Sequence, residues 1–272
     1  MQIGNREFDV KNQTYVMGIL NVTPDSFSDG GSFDTMDKAL FHAQQMIDEG
    51  AAIIDIGGES THPGYTKISD EEEIARVVPV IERLKAEFDV PLSLDTYKSG
   101  VAKAGIAAGI DLINDIWGLK YDADMAEVIA QSGVSCCLMH NRDKADYHDF
   151  MREVRADLQE TIDIAHRANI ADDKIILDPG IGFGKTYEQN LIMLRNLRQL
   201  EKFGYPLLLG ASRKSVIGNT LDLPVTERLE GTLVTTVMAV LQNYAFVRVH
   251  DVKENLRTIK MTEAIQYCGG TL

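Results

Sequence analysis

The feature that most constrains this chain is a repeated alternation of short apolar runs with longer charged segments. The short runs are rich in Val, Ile and Leu, as strands are, and the segments between them have the apolar spacing of amphipathic helices. The eight runs are YVMGIL, AAIIDIG, VPLSLD, IDLIND, VSCCLMH, KIILDPG, PLLLGAS and AFVRVH. Strands that alternate with helices form a parallel sheet, and eight such units in 272 residues predict an α/β fold, a (β/α)₈ TIM barrel. We expect residues 1–272 to form one domain, with long loops after the first two strands.

One of the intervening segments carries clear helix signals. SDEEEIARVVPVIERLKAEF is amphipathic, and it starts at Ser69, an N-cap residue type that acidic residues follow in the first turn. An open, doubly wound sheet is the alternative to a closed barrel. It is disfavoured because no GxGxxG pattern follows the first strand, where a dinucleotide-binding fold would carry it.

The stretch ILDPGIGFGKT, residues 176–186, looks like a phosphate-binding loop because glycines precede Lys185 and Thr186. The pattern GxxxxGK[ST], however, needs a glycine at the position that Pro179 occupies. Proline has no N–H to donate to a phosphate, and its φ is fixed. We therefore interpret Lys185 and Thr186 as residues at the start of a helix, without a phosphate role.

Composition limits the partners of this chain. Its net charge of −14 argues against nucleic acid and against an anionic membrane surface, so an anionic ligand needs a local cluster of basic residues. Three cysteines without CxxC spacing predict neither a disulfide framework nor a zinc site, and Cys136 and Cys137 are expected to pack inside. We find no export signal and no membrane-spanning run, and we expect a cytoplasmic protein.

Polar residues stand at the ends of nearly all the predicted strands. In a TIM barrel, the carboxyl ends of the strands and the loops after them form the active face. The residues at those ends are Asn21, Asp55, Asp95, Asn114, His140, Asp178, Arg213, Lys214, Arg248 and His250. A polar strand end often only caps the next helix, but capping does not explain the long loops NVTPDSFSDGGSF and GGESTHPGYTKIS. The set as a whole predicts a ligand site.

The residue types at this rim indicate the chemistry of the ligand. Asp95, Asn114 and Asp178 offer acceptors to the N–H groups of a flat heterocycle, such as a pterin or a guanine-like ring. Lys214, Arg248 and His250 form a basic cluster at the rim. Because these cations stand out in an acidic chain, the ligand or its partner is expected to carry phosphate, and an organic pyrophosphate fits both features.

Five motifs resemble the signatures of the dihydropteroate synthases, the pterin-binding enzymes of folate biosynthesis. They are MGILNVTPDSFSDGG at 17–31, DIGGEST at 55–61, DPGIGFGKT at 178–186, SRKS at 212–215 and RVHDV at 248–252. The resemblance implies that 6-hydroxymethyl-7,8-dihydropterin diphosphate condenses with 4-aminobenzoate to give 7,8-dihydropteroate and pyrophosphate. It also implies a Mg²⁺ cofactor, a homodimer formed through the last helices, and inhibition by sulfonamides, which imitate 4-aminobenzoate.

The resemblance assigns pterin-binding roles to five residues, carried over by position. It implies that Asp95 and Asn114 hold the far edge of the pterin, and that Asp178 accepts hydrogen bonds from its 2-amino group and adjacent ring N–H. It further implies that Lys214 donates to the pterin carbonyl oxygen and ring nitrogen, while the planar guanidinium of Arg248 stacks on the ring face.

The diphosphate and the reaction involve an overlapping set. By resemblance, Asn21, Arg248 and His250 bind the diphosphate, and Asn21 meets the Mg²⁺ ion, a hard cation that prefers oxygen ligands. Departure of pyrophosphate leaves a cation-like methylene, which Asp95 stabilises electrostatically. The implied catalytic residues are therefore Asp95, Lys214 and Asn21.

The 4-aminobenzoate side is implied to involve the two long loops and the residues beside them. Its members are Pro24, Phe27, Thr61, Pro63, Phe183 and Ser215.

The family commonly has arginine in GGESTRPG where this chain has His62, which would be charged only part of the time near neutrality. We hypothesise that His62 binds pyrophosphate less firmly than arginine, so that activity rises at mildly acid pH. Indistinguishable pH–rate profiles of the parent and His62→Arg would contradict this hypothesis, and Lys67 is an alternative source of the charge.

Two other functions remain as alternatives. The corrinoid-dependent methyltetrahydrofolate methyltransferases share the barrel and the pterin pocket, but they expel no pyrophosphate, so the NVTPDSFSDGG loop and the SRK and RVH residues argue against them. A non-catalytic pterin-binding protein is the second alternative. It is disfavoured because the residues implied for pterin and diphosphate binding are all present.

Overall fold

A computed structural model describes residues 1–22, 32–59 and 67–268 of the chain. It begins with an antiparallel hairpin of β1 (Gln2–Ile3) and β2 (Arg6–Glu7). Eight parallel strands follow. They are β3 (Tyr15–Asn21), β4 (Ile53–Gly57), β5 (Leu92–Asp95), β6 (Leu112–Asp115), β7 (Ser135–Met139), β8 (Ile175–Asp178), β9 (Leu208–Leu209) and β10 (Phe246–Val249). Their order is β8-β7-β6-β5-β4-β3-β10-β9, and a bridge between Leu177 and Leu207 joins the two edges, so the predicted barrel is confirmed.

Helices connect the strands and cover the outside of the barrel. They are α1 (Ser32–Asp48), α2 (Asp70–Glu87), α3 (Ser99–Ala108), α4 (Met125–Ser132), α5 (Phe150–Arg167), α6 (Tyr187–Arg195), α7 (Ser215–Leu221), α8 (Leu229–Leu241) and α9 (Val252–Tyr267). Within the ranges just given, no helix combines the length and the apolar composition needed to cross a bilayer.

Two helix starts follow from local sequence. The Ser69 hydroxyl accepts from the backbone N–H of Glu72 at 3.2 Å, which confirms Ser69 as the N-cap of α2. Thr186 caps α6 in a capping box, in which Thr186 accepts from the Gln189 N–H and the Gln189 side chain accepts from the Thr186 N–H. Thr186 is therefore a helix N-terminal residue, as predicted.

The alternation of side chains along each strand divides the core into two parts. Ile54 and Ile56 of β4 pack outward in the large cluster between the strands and helices, whereas Ile53 belongs to a separate cluster inside the barrel. The members of the inner cluster that come from the eight barrel strands are Met17, Ile53, Leu112, Cys137, Ile176, Leu208 and Phe246. These residues stand early in their strands, so the amino-terminal end of the barrel is filled with apolar side chains.

The N-terminal hairpin closes this filled end. Ile3 and Phe8 are buried in the inner cluster, and the Phe8 ring meets Tyr15 at 4.9 Å and Phe246 at 5.6 Å between centroids. The sequence did not predict the hairpin, because two-residue strands are too short to show periodicity. Since this end is blocked, the opposite end is the one that can admit a ligand.

Candidate active site

The parallel register brings the predicted site residues into one row. Asn21 pairs with Gly57, Gly57 with Asp95, and Asp95 with Asn114. A Cβ atom on Gly57 would lie 3.5 Å from Asn21 Oδ1 and 3.8 Å from Asp95 Cβ, so this glycine separates the two polar side chains without covering either. Asn21 is exposed, whereas Asp95 and Asn114 are buried.

Arg248 of β10 joins two carboxylates across the interior of the barrel. Its Nε donates to Asp55 Oδ2 at 2.5 Å, and a terminal nitrogen donates to Asp95 Oδ2 at 2.6 Å. Asp55 also accepts from the Ser93 hydroxyl at 2.5 Å and from the Asn114 amide at 3.3 Å. Asp55 is thus fully surrounded, which makes it a support for Arg248 rather than a group that a ligand can reach.

Asp95 differs from Asp55 in having an unused acceptor. Its Oδ1 atom is buried and accepts no hydrogen bond from the residues that the structure describes. Burial raises the pKa of Asp95 to about 7, because the desolvation of the carboxylate and the nearby Asp55 outweigh the attraction of Arg248. A carboxyl group with such a pKa and a free acceptor is typical of a binding or catalytic site.

Asp178 lies at the end of β8, and its carboxylate is held by the loop that follows. Oδ1 accepts from the Gly180 N–H at 2.6 Å. Burial raises the pKa of Asp178, and the neighbouring Lys214 opposes that rise. Asp178 therefore presents a second buried carboxyl group at the same rim as Asp95.

Lys214 and Phe183 are brought together, and Lys214 also lies near Asp178. The Lys214 ammonium lies 4.4 Å from the centroid of the Phe183 ring and donates to the carbonyl oxygen of Ile181. Burial lowers the pKa of Lys214 to about 8, although Asp178 favours the charged form. Lys214 is thus a desolvated cation beside two carboxyl groups, in a position to donate to a ligand oxygen.

The remaining predicted residues lie around this centre. Ser215 is exposed at the first position of α7, next to Lys214. His250 follows β10 and is held by Ser212, whose hydroxyl lies 2.9 Å from His250 Nδ1. Five predicted residues, Pro24, Phe27, Thr61, His62 and Pro63, lie outside the described ranges.

Lys185 has a structural role that the sequence did not reveal. Besides preceding the N-cap of α6, it donates to His140 Nδ1 and to the carbonyl oxygens of Gly180 and Phe183. Burial lowers the pKa of Lys185 to about 7. Its partners come from two different loops, so sequence spacing alone gave no signal for them.

A buried ion group beside the rim was also missed. The Lys98 ammonium donates to Glu59 at 2.9 Å, to Glu73 at 2.7 Å and to the Ile68 carbonyl at 2.8 Å, while the Tyr97 hydroxyl donates to Glu59 at 2.5 Å. Glu59 and Ile68 stand on either side of residues 60–66. The group therefore fixes the two points at which that segment joins the barrel.

Comparison with known proteins gives a consistent family. The family model described as pterin binding enzyme matches residues 17–250. The dihydropteroate synthase of Clostridium beijerinckii is 58% identical over 266 residues, which cover 97% of this chain and 99% of that protein.

Solved structures agree with the sequence relatives. The dihydropteroate synthase of Clostridium difficile, solved in the presence of pteroic acid, has a TM-score of 0.93 and 50% identity, and the match covers 95% of this chain and 99% of that one. The Yersinia pestis enzyme with a sulfonamide drug has a TM-score of 0.92 and 43% identity, with 98% of both chains covered. The Xanthomonas albilineans enzyme with 4-aminobenzoic acid has a TM-score of 0.91 and 40% identity, with 95% of both chains covered. The chain therefore belongs to the pterin-binding enzymes and, among them, to the dihydropteroate synthases, which are transferases.

Proposed function

We propose that this chain condenses 6-hydroxymethyl-7,8-dihydropterin diphosphate with 4-aminobenzoate to give 7,8-dihydropteroate and pyrophosphate. The observation that carries the proposal is the buried Oδ1 atom of Asp95, which has no donor among the described residues. A buried carboxylate oxygen without a hydrogen bond is costly unless a ligand supplies the donor. The N–H edge of a pterin supplies such donors.

The other polar groups suit the rest of the pterin. Asp178 accepts from the 2-amino group and the adjacent ring N–H, Asn114 holds the far edge with Asp95, and Lys214 donates to the carbonyl oxygen. The N–H edge of the Arg248 guanidinium is engaged by Asp55 and Asp95. These contacts use the Nε and one terminal nitrogen, so the flat face stays available to stack on the ring and the remaining N–H donors stay available for the diphosphate.

The reaction exchanges one bond to the pterin methylene for another. The carbon–oxygen bond to the diphosphate breaks, and its electron pair leaves with pyrophosphate. The amine nitrogen of 4-aminobenzoate then donates its lone pair to the cation-like methylene and afterwards loses a proton. Asp95 stabilises the developing positive charge when ionised, while Arg248 and His250 bind the negative diphosphate.

The protein residues suit a metal ion that arrives with the substrate. Within the described part of the chain, no group of three or more His, Cys, Asp and Glu side chains is arranged to hold a metal. Asn21, however, is exposed at the rim, and its amide oxygen suits a hard cation that keeps waters and substrate phosphates as its other ligands. Asn21 would hold Mg²⁺, which when bound neutralises charge on the departing pyrophosphate.

The aminobenzoate side uses Phe183 and Ser215, together with Pro24, Phe27, Thr61, His62 and Pro63 from the loops outside the described ranges. Solved relatives hold pteroic acid, 4-aminobenzoic acid or a sulfonamide drug, which supports a site for 4-aminobenzoate in this chain. A sulfonamide imitates 4-aminobenzoate, so it should compete with that substrate.

We further propose a homodimer formed through the last two helices. Val234 of α8 and Met261 and Ile265 of α9 expose between 59% and 62% of their surface. Neighbouring helices with several exposed aliphatic side chains favour a protein partner, since single exposed residues are common but clusters are not.

The proposal is tested by pyrophosphate release from the purified protein with the pterin diphosphate and Mg²⁺, with and without 4-aminobenzoate. Release should depend on 4-aminobenzoate and should fall by about 10²-fold or more in Asp95→Asn. Asp172→Asn, at an exposed carboxylate remote from the rim, is the matched control and should match the parent. Pterin binding without any pyrophosphate release would contradict the proposal and favour a methyltransferase or a binding protein.

A further inference from the structure

The ammonium of Lys185 is saturated by three acceptors. It donates to the Gly180 carbonyl at 2.8 Å, to the Phe183 carbonyl at 3.0 Å and to His140 Nδ1 at 2.8 Å. An ammonium group has three N–H donors and no acceptor, so none remains for a ligand phosphate. The similarity of this loop to a P-loop is thus accounted for by contacts within the protein.

The His140 imidazole accepts from Lys185 through one ring nitrogen and contacts a carboxylate through the other. His140 is only 2% exposed, and its Nε2 lies 3.0 Å from Asp157 Oδ2. Arg142 binds the same carboxylate at 2.6 Å and binds Glu153 at 2.9 Å. Because Asp157 accepts from Nε2–H, the lone pair of His140 is on Nδ1, where Lys185 donates.

Two contacts connect Lys185 to the binding residues. Gly180 accepts from Lys185 through its carbonyl and donates through its N–H to Asp178 Oδ1 at 2.6 Å. The Phe183 carbonyl accepts from Lys185, while the Phe183 ring lies under the ammonium of Lys214. Lys185 thus touches the backbone on both sides of the turn that carries Asp178 and Phe183.

The turn has little freedom to move away from these contacts. Gly180 has φ +69°, and a Cβ atom at this position would lie 1.9 Å from the His140 carbonyl oxygen. The loop backbone is therefore packed directly against the end of β7. If the Lys185 contacts were lost, the Gly180 and Phe183 carbonyls would lose their charged donor, although the Gly180 carbonyl would keep the Phe183 N–H at 3.2 Å.

We propose that Lys185 is a positioning residue that orients the Asp178 carboxylate and the Phe183 ring for the two substrates. The inference rests on the proposed function, because those two side chains are assigned to the pterin and to 4-aminobenzoate there. Lys185 itself touches neither substrate. It acts through the carbonyls of Gly180 and Phe183, with His140 and Asp157 holding its third N–H.

The test compares Lys185→Met with Lys185→Gln, which keeps N–H donors without the charge. Lys85→Met is the matched control, because Lys85 pairs with Asp111 at 3.0 Å at the opposite end of the barrel. Each variant is assayed for pyrophosphate release, for KM of both substrates, for calorimetric binding of pteroic acid and for Tm. A merely structural role would lower the fraction of active protein without changing KM or Kd.

We expect Lys185→Met to weaken pteroic acid binding about tenfold or more and to raise KM for the pterin diphosphate by a similar factor. Lys185→Gln should lie between it and the parent, and Lys85→Met should stay within about twofold of the parent. If Lys185→Met does not fold, Lys185→Gln carries the test on the same readouts. An active parent with unchanged KM and Kd in the Lys185 variants would overturn the inference alone. A parent that neither releases pyrophosphate nor binds pteroic acid would refute the proposed function, and this inference with it.

Discussion

Arg248 donates to Asp95 Oδ2 at 2.6 Å, and the same guanidinium donates to the fully buried Asp55 at 2.5 Å. The Arg248 guanidinium thus binds two carboxylates, Asp55 and Asp95, from the adjacent strands β4 and β5. Asp55 is enclosed, whereas Asp95 keeps a buried oxygen for a ligand. The arrangement makes Arg248 a structural link as well as a binding residue, and this dual role leads to the first prediction.

Replacing Arg248 with methionine should destabilise the protein by about 3–5 kcal/mol, because it leaves two buried carboxylates without their cation. Arg83→Met is the control. Arg83 pairs with Glu87 on the surface of α2, where the two side chains are 59% and 35% exposed, so its loss should cost about 1 kcal/mol or less. Urea unfolding of both variants measures the difference. Equal losses would show that Arg248 does not hold the carboxylates together.

The raised pKa of Asp95 predicts a pH dependence of the reaction. Burial places this pKa at about 7, and only the ionised form can stabilise a cation-like methylene. The contribution of Asp95 to kcat/KM for the pterin diphosphate should therefore fall about tenfold per pH unit below pH 7 and level off above it. This direction is opposite to the rise in acid hypothesised for His62, so the profiles are recorded in the His62→Arg background. The substrate titrates in the same way with Asp95→Asn as with the parent. The difference between the two pH profiles of kcat/KM therefore isolates the titration of Asp95. Parallel profiles would contradict the assignment.

His140 predicts how stability changes in acid. Burial, reinforced by Lys185, lowers the pKa of His140 to about 4, against 6.5 as its ordinary value. Between these two values the unfolded chain binds more protons, so the free energy of unfolding falls as pH drops from about 6.5 to 4, by about 3 kcal/mol. His140→Asn should flatten this dependence in urea unfolding, whereas the exposed His148→Asn should not. If the free energy of unfolding of the parent and of His140→Asn changed equally with pH, the assignment of this dependence to His140 would be wrong.

The thiols should differ sharply in reactivity. Cys136 and Cys137 are fully buried, and burial raises the pKa of both thiols, while Cys268 is exposed. The thiolate is the reactive form, so a disulfide reagent should modify one thiol rapidly in the native protein and all three in denaturant. Cys268→Ser should abolish the rapid phase. A rapid phase that persists in Cys268→Ser would place a reactive thiol inside the barrel.

The sequence was sufficient to predict the barrel and its polar rim, since both depend on local patterns. Strand periodicity marks where β5, β6 and β8 end. Asp95 and Asp178 are the last residues of β5 and β8, and Asn114 is the last but one of β6. The contacts of the site were not predictable in the same way. Arg248 and Asp55 are 193 residues apart, and closure of the barrel alone brings them together.

Lys185 illustrates the same limit over a shorter distance. Its local pattern indicates a helix start, and Thr186 confirms that interpretation. The ammonium, however, finds His140, which is 45 residues away, because β7 and β8 are neighbours in the sheet. A lysine that follows glycines therefore does not identify a phosphate-binding loop until the acceptors of its ammonium are known.

The exposed aliphatic residues of α8 and α9 lead to a prediction about assembly. If these helices form the dimer interface, Val234→Glu combined with Met261→Glu should place buried, unpaired charges between the two copies and produce a monomer. Ile192→Glu is the matched control, because Ile192 is 42% exposed on a different helix, α6. Sedimentation velocity should show dimers for the parent and for Ile192→Glu, and monomers for the double variant. A parent that sediments as a monomer would contradict the proposed dimer, and a double variant that remains dimeric would move the interface to another surface.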